Sequence, residues 1–366
     1  MTVKALAVLA LLLTAACTSG AQPAAPQVSV RTPSASVDDD RADMTPLHGR
    51  PLTGATGLRF LIPLQQGAVL FDPDRHTTTP VAGLPRGRMI DYAVQVGRTA
   101  VLTASCENCR SQVYVVPPGS TTARRITDGI AVAAAYGQER IWLRDQRGNR
   151  CTIGMADLTG RRLAAARPIG CDVYPTMATS AGLVAAAGQD GANVILRSRD
   201  LRTIFRGPWV LGVLGSRVLT QSPDGYGEPL PLTDVPTGTV RHIPSPQSPG
   251  DLSDGYMSPN GRWLAVRFGN PAWPGPRQLL DLWVLDTKTL QWQHVPSMPT
   301  PVSLKQTGLA WTDDNRLVLL GRFDRTPDTS IDETKDVLAL WRPGESALSI
   351  RPVTLPADGS ARFLLH

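Results

Sequence analysis

The chain is short of several things at once, and each shortage narrows what it can be. Beyond residue 16 no apolar run reaches eighteen residues, so nothing later in the chain can cross a bilayer as a single helix. Long helix-compatible stretches are scarce too. Gly and Pro together occupy 65 of 366 positions, a density that a helical bundle or coiled coil does not tolerate. Lysine is almost missing, with four among 37 basic residues. The net charge of +6 is spread thinly, without the basic run that would mark a nucleic-acid surface. No Gly-x-Ser-x-Gly, no phosphate-cradling glycine loop and no His-Glu-x-x-His occurs. The five histidines (His48, His76, His242, His294 and His366) are scattered, and His242 and His294 fall in outer strands where a solvated residue is expected. The motifs name no catalytic residue, metal site or cofactor. What is present is a 42 % hydrophobic content, too high for a disordered chain and enough for a sizeable core.

Residues 1–16 have the layout of a secretory signal. Lys4 and the amino terminus make a positive start, and residues 5–16 are nearly all apolar and end in small side chains. The stretch closes as Leu13-Thr14-Ala15-Ala16-Cys17, which resembles a bacterial lipobox. The departure is at the third place before the cysteine, where Thr14 stands and leucine is usual. The resemblance implies that Cys17 becomes the lipidated first residue of an exported protein on the outer face of the membrane. The plainer alternative is ordinary signal cleavage with Cys17 incidental. Residues 17–56 are rich in Ala, Pro, Ser and Thr, carry Asp38, Asp39 and Asp40, and have few large apolar side chains. They read as a lipid-anchored flexible tether. The arginine-heavy basic set suggests a GC-rich genome, and with the lipobox the chain resembles an actinobacterial envelope protein.

From residue 57 to 366 a unit recurs. A Gly-, Asn- or Asp-bearing turn is followed by Arg or Gly and an apolar run, as in Gly57-Leu58-Arg59-Phe60, Gly97-Arg98-Thr99-Ala100 and Glu139-Arg140-Ile141-Trp142. The pattern continues at Gly182-Leu183, Ser216-Arg217, Asn260-Gly261-Arg262 and Asn315-Arg316. A second apolar run follows each, often ending in Asp before another turn, as at Asp157-Leu158-Thr159-Gly160 and Asp286-Thr287-Lys288-Thr289. Four short strands per unit, at a period of about 40–50 residues, predict a β-propeller. The 310 positions hold seven blades of about 44 residues. Six or eight blades, or a sandwich, are the competing counts and folds. The first unit lacks its leading strand, and residues 361–366 are left over at the end. The C-terminus is therefore expected to supply the missing strand and close the ring.

Met257-Ser258-Pro259-Asn260-Gly261-Arg262-Trp263-Leu264 resembles the blade signature of TolB-like, WD40-type propellers, with Asn where that family has Asp. Ala310-Trp311-Thr312-Asp313-Asp314-Asn315-Arg316-Leu317 is a weaker second copy. The resemblance implies a fold over some 310 residues and no activity, because this motif is hairpin chemistry.

Apart from Cys17 the cysteines are Cys106, Cys109, Cys151 and Cys171. An even number in an exported chain predicts two disulfides. Zinc would ask for a second close pair or a nearby histidine, and a thioredoxin-like redox pair would open a helix. In a propeller, Cys151 and Cys171 fall on one face, the face that also carries the longest loops, 269–277 and 321–335. Trp273, Arg322, Phe323, Asp324 and Arg325 on those loops are candidate binding residues. Capping of their own blades is the structural alternative for Trp273 and Phe323. The expected function is a monomeric, membrane-anchored binding or scaffold module for an envelope protein or cell-wall polymer, with no nucleic acid involved. The rival is a glycan hydrolase or lyase with carboxylates over the channel; a purely structural lipoprotein is a third reading.

Overall fold

The computed structural model describes residues 45–366 except 108, 188–192, 199, 225–226, 249–250, 270–277, 325–333 and 357–362. Every regular element among the described residues is a β-strand. Unit 1 orders Leu364–Leu365, Phe60–Pro63, Ala68–Asp72 and Thr77–Pro80 into one antiparallel sheet. Unit 2 is Met89–Val96, Thr99–Cys106, Cys109–Val116 and Arg124–Asp128; unit 3 is Ile130–Ala134, Arg140–Arg147, Arg150–Asp157 and Arg167–Ile169. Unit 4 is Val173–Ala178, Gly182–Ala187, Asn193–Arg197 and Thr203–Gly207; unit 5 is Val210–Leu214, Arg217–Thr220, Leu230–Asp234 and Val240–Ile243. The remaining two meanders share one nine-stranded sheet. Unit 6 is Asp251–Met257, Trp263–Gly269, Gln278–Asp286 and Trp292–His294. Unit 7 is Thr300–Trp311, Leu317–Asp324, Thr334–Trp341 and Ser349–Pro352. They are joined where Gln278, Leu279 and Leu280 pair with Val302, Pro301 and Thr300. The fold is an all-β propeller of four-stranded meanders, and the separate sheets expected for the last two units are fused.

The turns explain why these segments pair as they do. At the Ser-Pro-Asn-Gly hairpin, Gly261 takes a φ of +69°, and the Ser258 hydroxyl accepts from Trp263 N at 2.9 Å while donating to Asn260 Oδ1 at 2.8 Å. Asn315 (φ +61°) turns the weaker copy, where the Thr312 hydroxyl accepts from Arg316 N at 2.9 Å. The aspartates that end third strands bind the turn that follows them. Asp157 accepts from the Thr159 hydroxyl and from the Thr159 and Arg161 amides, and these bonds hold its carboxyl at about 2. Asp286 is also held below the usual carboxylate range. Burial works against it, but the Lys288 and Thr289 amides and the Arg262 guanidinium outweigh that.

Burial runs continuously along the inner strands. Ala100, Val101, Leu102, Thr103 and Ala104 are all fully buried, so both faces of the sheet are covered. Alternate residues pack on opposite neighbours. Leu102 joins Leu61 and Leu70 of unit 1, whereas Val101 joins Ile141 and Leu143 of unit 3. The same sharing passes around the molecule until Val318, Leu320 and Leu338 of unit 7 meet Phe60 and Phe71 of unit 1. A unit with two apolar faces needs a neighbour on each side, and only a closed ring gives every unit both.

Closure is made twice. On the inside, Leu364 and Leu365 pair with Leu61 and Phe60, so the C-terminal segment supplies the first strand of unit 1 as expected. On the outside, Arg50–Pro51 runs parallel to Ser349–Pro352, and Leu52 N donates to Ile350 O at 2.8 Å. Gly49 sits so close there that a Cβ would lie 2.4 Å from Leu348 O. Arg351 then bridges to Asp74 of unit 1 at 2.5 Å and donates to the Leu52 and Gly54 carbonyls. Asp74 also accepts from the Thr56 and Gly57 amides, each at 2.8 Å. The tether expected through residue 56 therefore ends earlier. Residues 45–56 belong to the folded unit, because their backbone finds partners that lie almost 300 positions away.

Candidate functional site

The two ends of the central channel differ in what the strands bring to them. One end carries the turns between second and third strands and the connections between units. Both disulfides are there: Cys106–Cys109 closes the turn of unit 2, and Cys151–Cys171 ties unit 3 to the chain entering unit 4. All four cysteines are thus consumed as pairs. Arg144 is buried behind the second pair. It donates to Cys171 O at 2.9 Å and lies 4.9 Å from the centre of the Tyr174 ring. Tyr174 is nonetheless 53 % exposed, and Met89 and Tyr92 on the first strand of unit 2 are 48 % and 39 % exposed. These three lie on the leading halves of first strands, Met89 and Tyr92 in unit 2 and Tyr174 in unit 4, at the end that carries the disulfides.

The loop residues expected to bind are distributed differently. Arg322, Phe323 and Asp324 lie in the strand Leu317–Asp324, because apolar alternation carries that strand further than the turn signals suggested. Phe323 is 2 % exposed and packs between units 6 and 7, so it is a core residue there. Arg322 is ion-paired with Asp336 at 2.8 Å. Trp273, Arg325 and Cys17 lie outside the described residues. His294, expected to be solvated, bonds through Nε2 to the buried Asp281 at 2.6 Å and stacks on Trp283, whose indole donates to the same carboxylate. No local pattern marks that trio, because the residues meet only when the third and fourth strands pair.

The other end of the channel carries the turns between first and second strands. A cavity of about 900 Å³ opens there, with Arg59, Arg98, Tyr256, Trp311, Asp313 and His366 in its wall. A second, of about 720 Å³, continues it along units 3 and 4 past Tyr136 and Glu139; Gln95 and Met257 line both. The dimensions suit a ligand of drug-like size. His366 donates from Nε2 to Ser120 O at 2.9 Å, since a carbonyl can only accept. Its Nδ1 is buried and has no hydrogen-bond partner among the described residues. Burial first, and then the nearby Arg59 and Arg98 guanidinium groups, push its pKa below the ordinary imidazole value despite the bond to Ser120. Among the described residues no group of three or more His, Cys, Asp or Glu side chains is placed to hold a metal ion.

No family model matches the chain, and no curated protein matches it. Solved structures do. The chain is similar to the periplasmic gluconolactonase of Pseudomonas aeruginosa at 12 % identity and a TM-score of 0.52, over 84 % of this chain and 98 % of that one. It is similar to TolB of Acinetobacter baumannii at 12 % identity and a TM-score of 0.47, over 86 % and 68 %. A putative 6-phosphogluconolactonase of Bacteroides fragilis matches at 11 % identity and 0.48, over 86 % and 100 %. At such identities the likeness concerns the fold, a propeller, and no activity.

Proposed function

We propose that this chain is a binding or scaffold module, anchored through Cys17 at the outer face of the cell membrane of an actinobacterium and acting there as a monomer. Its partner is an envelope protein or a cell-wall polymer, met at the disulfide-bearing end. The observation that supports this most is the exposure of Tyr174, Met89 and Tyr92 on strands beside the two disulfides, Tyr174 next to Cys151–Cys171 and Met89 and Tyr92 in the unit closed by Cys106–Cys109. Rigid aromatic side chains anchor interfaces at low entropic cost. Crosslinking in native membranes, and co-sedimentation with purified cell wall, test it with the native chain and a variant carrying Tyr174→Ala and Met89→Ala. A partner held by the native chain and lost by the variant is expected. Equal recovery from both would move the interface elsewhere.

One observation favours a second reading, an enzyme such as a glycan hydrolase or lyase working over the channel. His366 lies in the wall of the larger cavity with a buried ring nitrogen that no described residue satisfies, and burial lowers its pKa from the ordinary imidazole value, the direction that suits a general base. Turnover of a cell-wall glycan that His366→Asn abolishes would establish that reading; no turnover by the native chain would remove it.

A further inference from the structure

The recurrent Arg at the start of second strands has a recurrent partner. Arg59 pairs with Asp72 at 3.7 Å, and Arg262 with Asp286 at 3.1 Å. Arg140 and Arg217 stand directly opposite Asp157 and Asp234 in the strand register. In each of these units the third strand ends in the aspartate that answers the arginine. Units 7 and 2 break the rule. In unit 7 the third strand ends at Trp341, and Arg316 pairs at 2.9 Å with Asp314 of its own turn instead. In unit 2 the third strand ends at Val116 and runs into Pro117, so Arg98 has no carboxylate of its own unit at that place. The turn that lacks the aspartate instead receives His366 on Ser120 O.

Arg98 is left in the wall of the larger cavity, beside the His366 ring and across from Asp313 of unit 7. The Arg98–Asp313 pair is long, 3.7 Å, and its side chains are 70 % and 77 % exposed. Such a pair is weak and screened by solvent, so another anion can replace the aspartate at little cost. The wall of the same cavity also has an apolar part, with Leu309, Trp311 and Met257.

We propose that this channel mouth binds a small organic oxyanion, a carboxylate or phosphate on a partly apolar body, with Arg98 as its principal cation and Asp313 as the counter-ion it displaces. Arg59, paired with Asp72, lies in the wall of the same cavity. The site lies at the opposite end of the channel from the tyrosine-bearing surface and does not depend on what binds there.

The test is a fluorescence titration of the mature chain with dansyl-glutamate and with uncharged dansylamide. Dansyl-glutamate is expected to bind the more tightly of the two and to weaken as salt is added. Arg98→Gln should weaken it about tenfold while leaving dansylamide unchanged. Asp313→Asn should tighten it by a factor of roughly three, because Arg98 is released. A merely structural role for Asp313 would not improve binding. Phenyl phosphate and phenylacetate compete for the bound probe, and the stronger competitor identifies the oxyanion. Competition by neither would overturn the proposal, as would an Arg98→Gln variant with native affinity or an Asp313→Asn variant that binds less. Equal binding of the two probes would leave an apolar cavity without an anion site. Binding of neither would remove this mouth as a ligand site while leaving the interface at the other end standing. Arg98 is exposed, so thermal unfolding of its variant should match the native chain, and that comparison separates lost binding from lost folding.

Discussion

The contact between units 3 and 4 and the contact between units 6 and 7 do the same job by different means. Between units 3 and 4, four of the nine buried residues are alanines, Ala133, Ala135, Ala185 and Ala187. Between units 6 and 7, two of sixteen are alanine, and the rest include Trp311, Trp341, Phe323 and six leucines. The larger contact also gains backbone pairing between Gln278–Asp286 and Thr300–Trp311. Among the described residues the smaller has no such ladder, and it is there that Cys151–Cys171 links one unit to the next. A fully buried leucine contributes about 1.5–3 kcal/mol, an alanine far less. Where side-chain volume is scarce, a covalent bond limits how far the sheets can separate in the unfolded chain.

That contrast can be broken from either side. Trp341→Ala should have the largest effect. Its side chain is 1 % exposed and its indole donates to Glu345 O at 2.9 Å, so a loss of about 3–5 kcal/mol is expected in denaturant unfolding. Replacing Cys151 and Cys171 by Ser should cost about 3 kcal/mol, the value for a loop of this order. Amide exchange should then speed up in Val173–Ala178 and Gly182–Ala187 and stay slow in Leu317–Asp324. Uniform acceleration would show that the staple serves the whole ring and not one contact. The Cys106–Cys109 bond spans only three positions and should matter much less.

The smallest effect is a pH dependence. Asp74, Asp157, Asp234 and Asp286 are all held below the usual carboxylate range. A depressed native value adds stability above the unfolded-state pKa, near 4, and that stability is lost as pH falls through the native values. The melting temperature should therefore decline between about pH 4 and 2, and Asp157→Asn should flatten part of that decline. A decline unchanged in the variant would assign the acid sensitivity to other carboxylates.

Much of the fold was legible because its signals are local. Asn260-Gly261 and Gly97 have to be turns, since positive φ is cheap for glycine, and the spacing of such turns sets the strand count per unit. The orphan segment at residues 361–366 pointed to its own partner, because one unit was a strand short. Long-range pairings left no such mark. Residues 45–56 look like tether by composition, yet Arg50–Pro51 is a strand because Ser349–Pro352 offers it an edge. Phe323 looked like a loop anchor because the acidic residues after it mask where the strand ends. Tyr174 and Met89 sit in first strands, where an aromatic or apolar residue reads as core, yet both are about half exposed. The Arg98 anomaly was visible as Pro117 in an aspartate's place, but its meaning depended on knowing which strands face each other.

The double closure sets an order of events during synthesis. Phe60–Pro63 emerges early and exposes an unpaired edge until residues 364–365, far later in the chain, cover it. An open edge of that kind invites pairing with other chains. The outer strand at Arg50–Pro51 has to wait as long for Ser349–Pro352, and Arg351 can lock onto Asp74 only once both are in place. Folding is thus gated by the Leu364–Leu365 segment: protection from proteases should come in one late step, and a product without that segment should stay open.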